Sequence, residues 1–302
     1  MASPVSVRHL RAFLAVAEAG STAAAARNLN LSQPSISIAI RELEEILGQA
    51  LFQRVPARGL LPTRFGQRKL PEARALIAGL ASFENEAGAV AGQVAFGYFA
   101  TLGPQYVPAI LNRMARLYPE INVTPVEADL DELNRLMEGG RVEIALSYDV
   151  EVPASIVSER VAELEPYALL PADHPLAGQD HVTVAELAAI PQVLVDLPLS
   201  REFLLSVFRS EGLEPRIAYR TRSLEMVVGL VANGLGASVL VTRRAMDTAY
   251  DGRRVMRRPI IDSRLRQGLI IARPVNAALT GPAEALAACI RAELSGNAAS
   301  VL

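Results

Sequence analysis

Residues 31–54, LSQPSISIAIRELEEILGQALFQR, constrain this chain more than any other stretch. Ser32 is a good N-cap, and Pro34 in the first turn gives up only an N–H that a helix start leaves unpaired anyway. Beyond the cap, Ile36, Ile40, Leu43 and Leu47 recur at helical spacing, so one stripe faces a core. The opposite face carries Gln33, Ser37, Ile38 and Arg41 and must look outward. Just upstream, residues 21–29 read as a short Ala-rich helix that stops shortly before the cap. Two helices joined by so tight a turn make a helix-turn-helix, whose second helix can enter a DNA major groove. An ordinary amphipathic hairpin also has two faces, and periodicity alone does not separate the readings.

The order of signals around the hairpin separates them. An opening helix with Leu10, Phe13, Leu14 and Ala17 inward runs to Gly20; STAAAARNLNLSQPSIS follows, then IRELEEILGQALFQR. LFQRVPARGLLPTRFG has apolar residues on both sides of Pro56 and Gly59 and reads as a two-stranded wing, with Arg54 at its base and Arg58 at its tip. Thr63 then caps a helix that continues to about Gly88, where Leu70, Ala73, Ile77, Leu80 and Ala87 approximate a heptad stripe, interrupted by Gly79 and with Glu84 at one seam position. In this succession the chain resembles the LysR-type transcriptional regulators, densely over the first ~90 residues and more loosely beyond.

The chain has 302 residues, enough for two or three domains with a substantial core. No apolar run reaches membrane-spanning length, and residues 1–11 lack the basic start and apolar centre of an export signal, so the expected location is the cytoplasm. Cys289 is the single cysteine and sits in an apolar helical pattern, which suits a buried thiol; His9, His174 and His181 show no metal-ligand spacing. The formal net charge is −2, but the first 74 residues carry ten basic and five acidic side chains, a surplus of +5 that leaves −7 for the remainder. A basic head on an acidic body suits phosphate binding by the head alone.

From Gln93 onward strands and helices alternate: VAFGYF, a helix over 104–117, INVTPVE, a helix over 130–138, and VEIALSY. That alternation predicts a parallel α/β sheet. A second unit follows, with PYALLP, QVLVD, a helix over 200–212, RIAYRT, a helix over 223–233 and GASVLVT; LRQGLIIAR and a helix over 282–294 close the chain. The basic stretch Arg253 to Arg258 lies between expected strands and reads as a solvated or interface face rather than a second nucleic-acid patch.

An enzyme and a free solute-binding protein are the rival classes. No Walker A, GxSxG or HExxH pattern occurs, and Gly234-Leu235-Gly236 follows a helix and is too short for a dinucleotide fingerprint. Asp129 and Asp131 stand at a helix start, where dipole stabilisation explains them. No catalytic residue, cofactor or metal is expected. An exported solute-binding protein would carry a signal and no basic hairpin.

The resemblance implies the rest. It implies an α/β protein with an N-terminal winged helix-turn-helix (1–62), a long linker and dimerisation helix (63–90), and a two-lobed effector domain like the periplasmic binding proteins (91–302). The first lobe would hold about 91–162 and 267–302, the second about 163–266. DNA-facing candidates are Ser32, Gln33, Pro34, Ser35, Ser37, Ile38, Arg41, Arg54 and Arg58. Family members usually place a basic residue and a glutamine where this chain has Ile38 and Ala39, which puts the operator sequence in question. The hydroxyl that the family supplies after the first effector-domain strand falls on Thr101, beside Leu102; Tyr148, Ser200, Arg201, Ser223 and Met226 are the other cleft candidates. The implied partners are a double-stranded operator with an inverted repeat, a small effector such as an aromatic or short organic acid, and further copies of the chain in a dimer of dimers.

Overall fold

The computed structural model describes residues 4–56, 59–84, 91–242, 246–275 and 279–298. Three helices open the chain: α1 (Val7–Ala19), α2 (Thr22–Asn28) and α3 (Gln33–Leu47). Ser6 and His9 form a capping box on α1, Ser21 caps α2, and the Ser32 hydroxyl caps α3 by accepting the Ser35 N–H at 3.3 Å. Ile36, Ile40 and Leu43 are buried with Phe13, Val16 and Ala25, as the helical stripe requires. Ala39 is buried with them at 1% exposure. Only Ile38 of the Ile38–Ala39 pair can therefore present its side chain outward.

The wing pairs β1 (Phe52–Val55) with β2 (Gly59–Pro62) antiparallel, Phe52 opposite Pro62 and Val55 opposite Gly59. Arg54 stands opposite Leu60, one pair from the turn, so it lies near the tip and not at the base as expected. Arg58 lies outside the described residues. Glu44 on α3 accepts the N–H groups of Leu51 and Phe52 at 2.7 and 3.2 Å, tying the wing to α3. Gly59 is obligatory at the turn: its φ is +78°, and a Cβ there would come within 2.5 Å of the Gly20 carbonyl oxygen.

The linker helix α4 (Arg64–Glu84) starts at Thr63, whose hydroxyl accepts the Gly66 N–H at 3.0 Å. It continues through Pro71, which removes one helical donor from the ladder. Its expected seam is partly consumed within the chain, since Leu70 and Ala73 are buried in the head core beside Phe13 and Leu51. Leu76 is 60% exposed, and Ala87 lies outside the described residues. Arg74 seats the helix on the next domain by donating to the Gly139 carbonyl at 3.2 Å and to that of Gly140, with Glu18 of α1 at 3.8 Å.

The first lobe is built from β3 (Gly92–Phe99), α5 (Gly103–Leu117), β4 (Ile121–Ala128), α6 (Leu130–Glu138), β5 (Ile144–Tyr148) and β6 (Ile156–Leu164). In the second lobe come β7 (Tyr167–Pro171), α7 (Val184–Ala188), β8 (Gln192–Val195), α8 (Ser200–Arg209), β9 (Ile217–Thr221), α9 (Leu224–Ala232), β10 (Ser238–Leu240) and β11 (Val255–Pro259). The chain then returns to the first lobe with β12 (Gln267–Pro274) and α10 (Gly281–Ala298).

The first-lobe sheet has the order β4-β3-β5-β12-β6. Its β4, β3 and β5 are parallel, but β12 runs antiparallel to both β5 and β6, so the sheet is mixed rather than wholly parallel. The reason is the return crossing, which brings β12 in from the opposite end. β6 stays in this sheet to Leu164, which puts the first crossing just beyond position 162. β5 is buried along its whole length; Ile144 and Leu146, both at 0% exposure, each contribute about 1.5–3 kcal/mol by leaving water. The second lobe holds an antiparallel sheet β10-β7-β11 and a parallel pair β8-β9.

Within the Arg253–Arg258 stretch, Val255–Pro259 forms the strand β11, and Arg253 and Arg254 just before it are exposed to solvent. Two of its arginines are engaged in the body, Arg257 pairing with Asp247 at 2.8 Å and Arg258 donating to the Ala177 carbonyl, while Arg253 lies 3.7 Å from its near neighbour Asp251.

Candidate functional site: a recognition helix and an interlobe cleft

On the outward face of α3, Ser32, Gln33, Pro34, Ile38 and Arg41 are exposed and Ser35 and Ser37 half-buried. Ile38 keeps 47% of its surface in contact with solvent although it is a large apolar side chain. Gln33 reaches back to the Thr22 hydroxyl at 3.4 Å, and Ser32 and Ser35 hydroxyls meet at 2.7 Å. Arg41 and Arg54 are exposed and form no ion pair among the described residues. Arg8, by contrast, is held by Glu42. The outward face of α3 and the wing thus carry hydroxyls, an amide and guanidinium groups, a set of donors suited to phosphates and base edges.

The second site lies between the lobes. Strand β3 ends at Phe99 and delivers Thr101; β5 ends at Tyr148; Thr242 follows β10 in the second lobe. Their hydroxyls form a ring, Tyr148 to Thr242 at 2.5 Å and Thr101 to both others at 3.4 Å. Tyr167 fixes Thr242 by donating to its carbonyl at 2.8 Å. Burial pushes the Tyr148 phenol up to about 12. The ring borders an inner cavity of about 30 Å³ and a neighbouring pocket of about 690 Å³, which share Thr101, Leu224 and Thr242 in their linings. Outside, an ion pair spans the lobes: Arg222, just before α9, lies 2.9 Å from Asp129 at the start of α6.

Of the cleft candidates, Thr101, Tyr148 and Ser200 line the inner cavity and Ser223 the outer pocket. Three others do not line it. Leu102 has 0% exposure and belongs to the first-lobe core. Arg201 is drawn away from the cavity by Asp196 at 2.8 Å and Glu202 at 3.4 Å, and it holds the Asp196 carboxyl below its ordinary range. Met226 is 55% exposed to solvent, while Leu224 faces the cavity in its place.

Sequence reasoning missed Thr242 and Gln267, because neither sits in a motif and only the return of the chain brings them to the cleft. It also explained Asp129 incompletely. One carboxylate oxygen does cap α6, accepting the Glu132 N–H at 3.0 Å, but the other takes Arg222 across the cleft. Leu199, ahead of α8, adopts φ 64° and ψ −53°, with the Ser200 N–H bonded to the Pro198 carbonyl at 2.8 Å. That is a strained γ-turn placed directly at the cavity wall.

Comparison with known proteins fits this geometry. Residues 7–67 match the family model for bacterial regulatory helix-turn-helix proteins of the lysR family, and residues 87–295 match the LysR substrate binding domain. The HTH-type transcriptional regulator YnfL of Escherichia coli is 30% identical over 246 residues, covering 78% of this chain and 82% of that one. Among solved structures, the PA01 protein of Pseudomonas aeruginosa, a LysR family regulator, is 34% identical with a TM-score of 0.67, covering 97% of this chain and 100% of that one. HinK, a LysR family regulator of the same organism, is 33% identical with a TM-score of 0.66, covering 96% and 98%. The chain belongs to the LysR family of transcriptional regulators, DNA-binding proteins that respond to small-molecule effectors, and it is not an enzyme. No described helix is long and apolar enough to cross a membrane.

Proposed function

We propose that this regulator binds an inverted repeat in double-stranded DNA through the α3 edge and the wing. Ser32, Gln33, Pro34, Ser35, Ser37, Ile38, Arg41, Arg54 and Arg58 would form the contact surface. Residues 1–62 act as the head, 63–90 as the pairing helix and 91–302 as the sensor, and the chain works in the cytoplasm as a dimer of dimers. A small organic molecule enters the interlobe cleft at Thr101, Tyr148, Ser200 and Ser223, and its preference for one lobe arrangement shifts the positions of the heads. The observation that carries this reading is the exposed, unpaired Arg41 and Arg54 beside a large apolar side chain, Ile38, left in water. The Leu76 side chain, exposed on α4, is where a second copy would pack.

Footprinting on the DNA upstream of the chain's own gene tests it. Two protected half-sites related by two-fold symmetry are expected, their centres separated by about one helical turn or a multiple of it. Arg41→Ala and Arg54→Ala should each weaken protection, whereas Arg257→Ala, whose side chain is paired with Asp247, should not. Equal loss in all three variants would reduce the interaction to diffuse charge attraction.

A further inference from the structure

Where the head, the linker helix and the first lobe meet, a second pocket lies apart from both the α3 edge and the interlobe cleft. It measures about 550 Å³, within the size range of sites for small metabolites. Its charged lining is Glu18 from α1, Arg74 from α4, and Arg135, Glu138 and Arg141 from α6 and the turn after it, with the Gln67 amide of α4 beside them. Three guanidinium groups therefore meet two carboxylates.

These groups are unequally committed. Arg74 donates through Nη1 to the Gly139 and Gly140 carbonyls, which offsets the negative end of α6. Its Nη2 lies 3.8 Å from the Glu18 carboxylate, too far for a direct hydrogen bond, and the Glu18 side chain is 66% exposed. Glu138 is engaged by Ser155, whose hydroxyl donates to it at 2.5 Å. Arg135 donates to Asp131 one turn back at 3.1 Å, with both side chains more than half in water, and such an exposed pair yields readily to a better partner. Arg141 is exposed.

Glu18 thus acts as the chain's own occupant of an anion position. Its carboxylate marks the place beside Arg74 where negative charge is accepted, and its long approach leaves Nη2 able to take a better-placed acceptor. Arg135 and Arg141 stand on a different element from Arg74, so a molecule that satisfies all three needs more than one acidic group.

We propose that this pocket binds a small polycarboxylate, with one carboxylate replacing Glu18 at Arg74 and another meeting Arg135 and Arg141. Guanidinium forks match planar carboxylates two bonds at a time, which suits them to this task. Because Glu18 belongs to the head and Arg135 and Arg141 to the sensor, the occupant exchanges a contact between the two for contacts of its own. It loosens α1 from the linker and so gives the regulator a second chemical input, separate from the interlobe cleft.

Calorimetry on the full chain at constant ionic strength, with citrate and acetate as probes, tests this. Saturable binding of citrate is expected, with acetate about tenfold weaker or more. Arg135→Gln and Arg141→Gln should each weaken citrate about tenfold, and Glu18→Gln, which removes the internal competitor, should tighten it about threefold. Arg41→Gln on the α3 edge and Thr101→Val in the cleft should leave the citrate affinity unchanged. Wild-type-like thermal midpoints identify variants that have folded. No saturable citrate binding, or binding that neither Arg135→Gln nor Arg141→Gln alters, would overturn the proposal. Weakening by Arg41→Gln or Thr101→Val would overturn it too, by moving the anion to the α3 edge or the cleft, and weaker binding in Glu18→Gln would overturn the exchange at Arg74.

Discussion

Ile38 shows how one side chain can report on function. An isoleucine left half in water on the outward face of α3 cannot donate to guanine, but its methyl groups can pack against a thymine methyl in the major groove. Ile38→Arg should therefore change base preference in a binding-site selection while leaving the thermal midpoint within error of wild type. A lowered midpoint would put Ile38 in the core and the helical register in error. Tyr148 makes a prediction of a different kind. Its phenol holds its proton to about 12 in the folded chain, against an ordinary value of 10.0. Between those values the folded state binds more protons than the unfolded state, so the contribution of Tyr148 to stability is complete below pH ~10 and is lost as pH rises toward 12. Urea unfolding on either side of that window should show this decline in the wild type and a shallower one in Tyr148→Phe; identical slopes would contradict it.

At the scale of elements, the wing depends on Gly59 because the turn demands a positive φ and because the Gly20 carbonyl blocks a Cβ. Gly59→Ala should cost about 1–3 kcal/mol in denaturant unfolding and weaken DNA binding by displacing Arg54, whereas Gly48→Ala, whose Cβ meets nothing within 4 Å, should cost less. The elements most legible in the sequence were those with a local signal. α3 announced itself through a Ser cap, an early Pro and a clean apolar stripe, and α6 through its acidic start. β6 was invisible, since its sequence IVSERVAEL puts Ser158, Glu159 and Arg160 in a row on an edge strand with one long side in water. β11 was hidden for the same reason, its Arg257 pairing with Asp247 and its Arg258 donating to the Ala177 carbonyl, partners no local pattern reveals. The cleft was half legible: Thr101 and Tyr148 follow strands that the sequence marks, while Thr242 and Gln267 reach it through long-range chain return.

At the scale of the molecule, three parts are joined by few polar contacts. The +5 head meets a −7 remainder, and Arg74 bridges them: burial lowers its pKa, and Glu18 on one side and the Gly139 and Gly140 carbonyls on the other keep it satisfied. α6 runs from Asp129, which grips Arg222 across the cleft, to the glycines that receive Arg74. A change in lobe closure therefore has one helix to move before it reaches the linker. Arg74→Gln should lower stability by about 1–3 kcal/mol, because two partly buried carbonyls lose a charged donor. It should also reduce the effect of an effector on DNA affinity, measured by anisotropy with and without ligand; an unchanged effect would exclude this contact from the coupling.

The central claim, that the α3 edge engages DNA phosphates and bases through unpaired arginines, is tested most directly by the salt dependence of binding. Anisotropy titrations of a duplex from the region upstream of the gene, run with wild type and Arg41→Ala over a range of salt, should give a steep linear fall of log affinity with log salt. The slope should become shallower by about one unit in the variant if Arg41 contacts phosphate. A slope near zero in the wild type, or affinity and slope both unaltered in Arg41→Ala, would contradict the account.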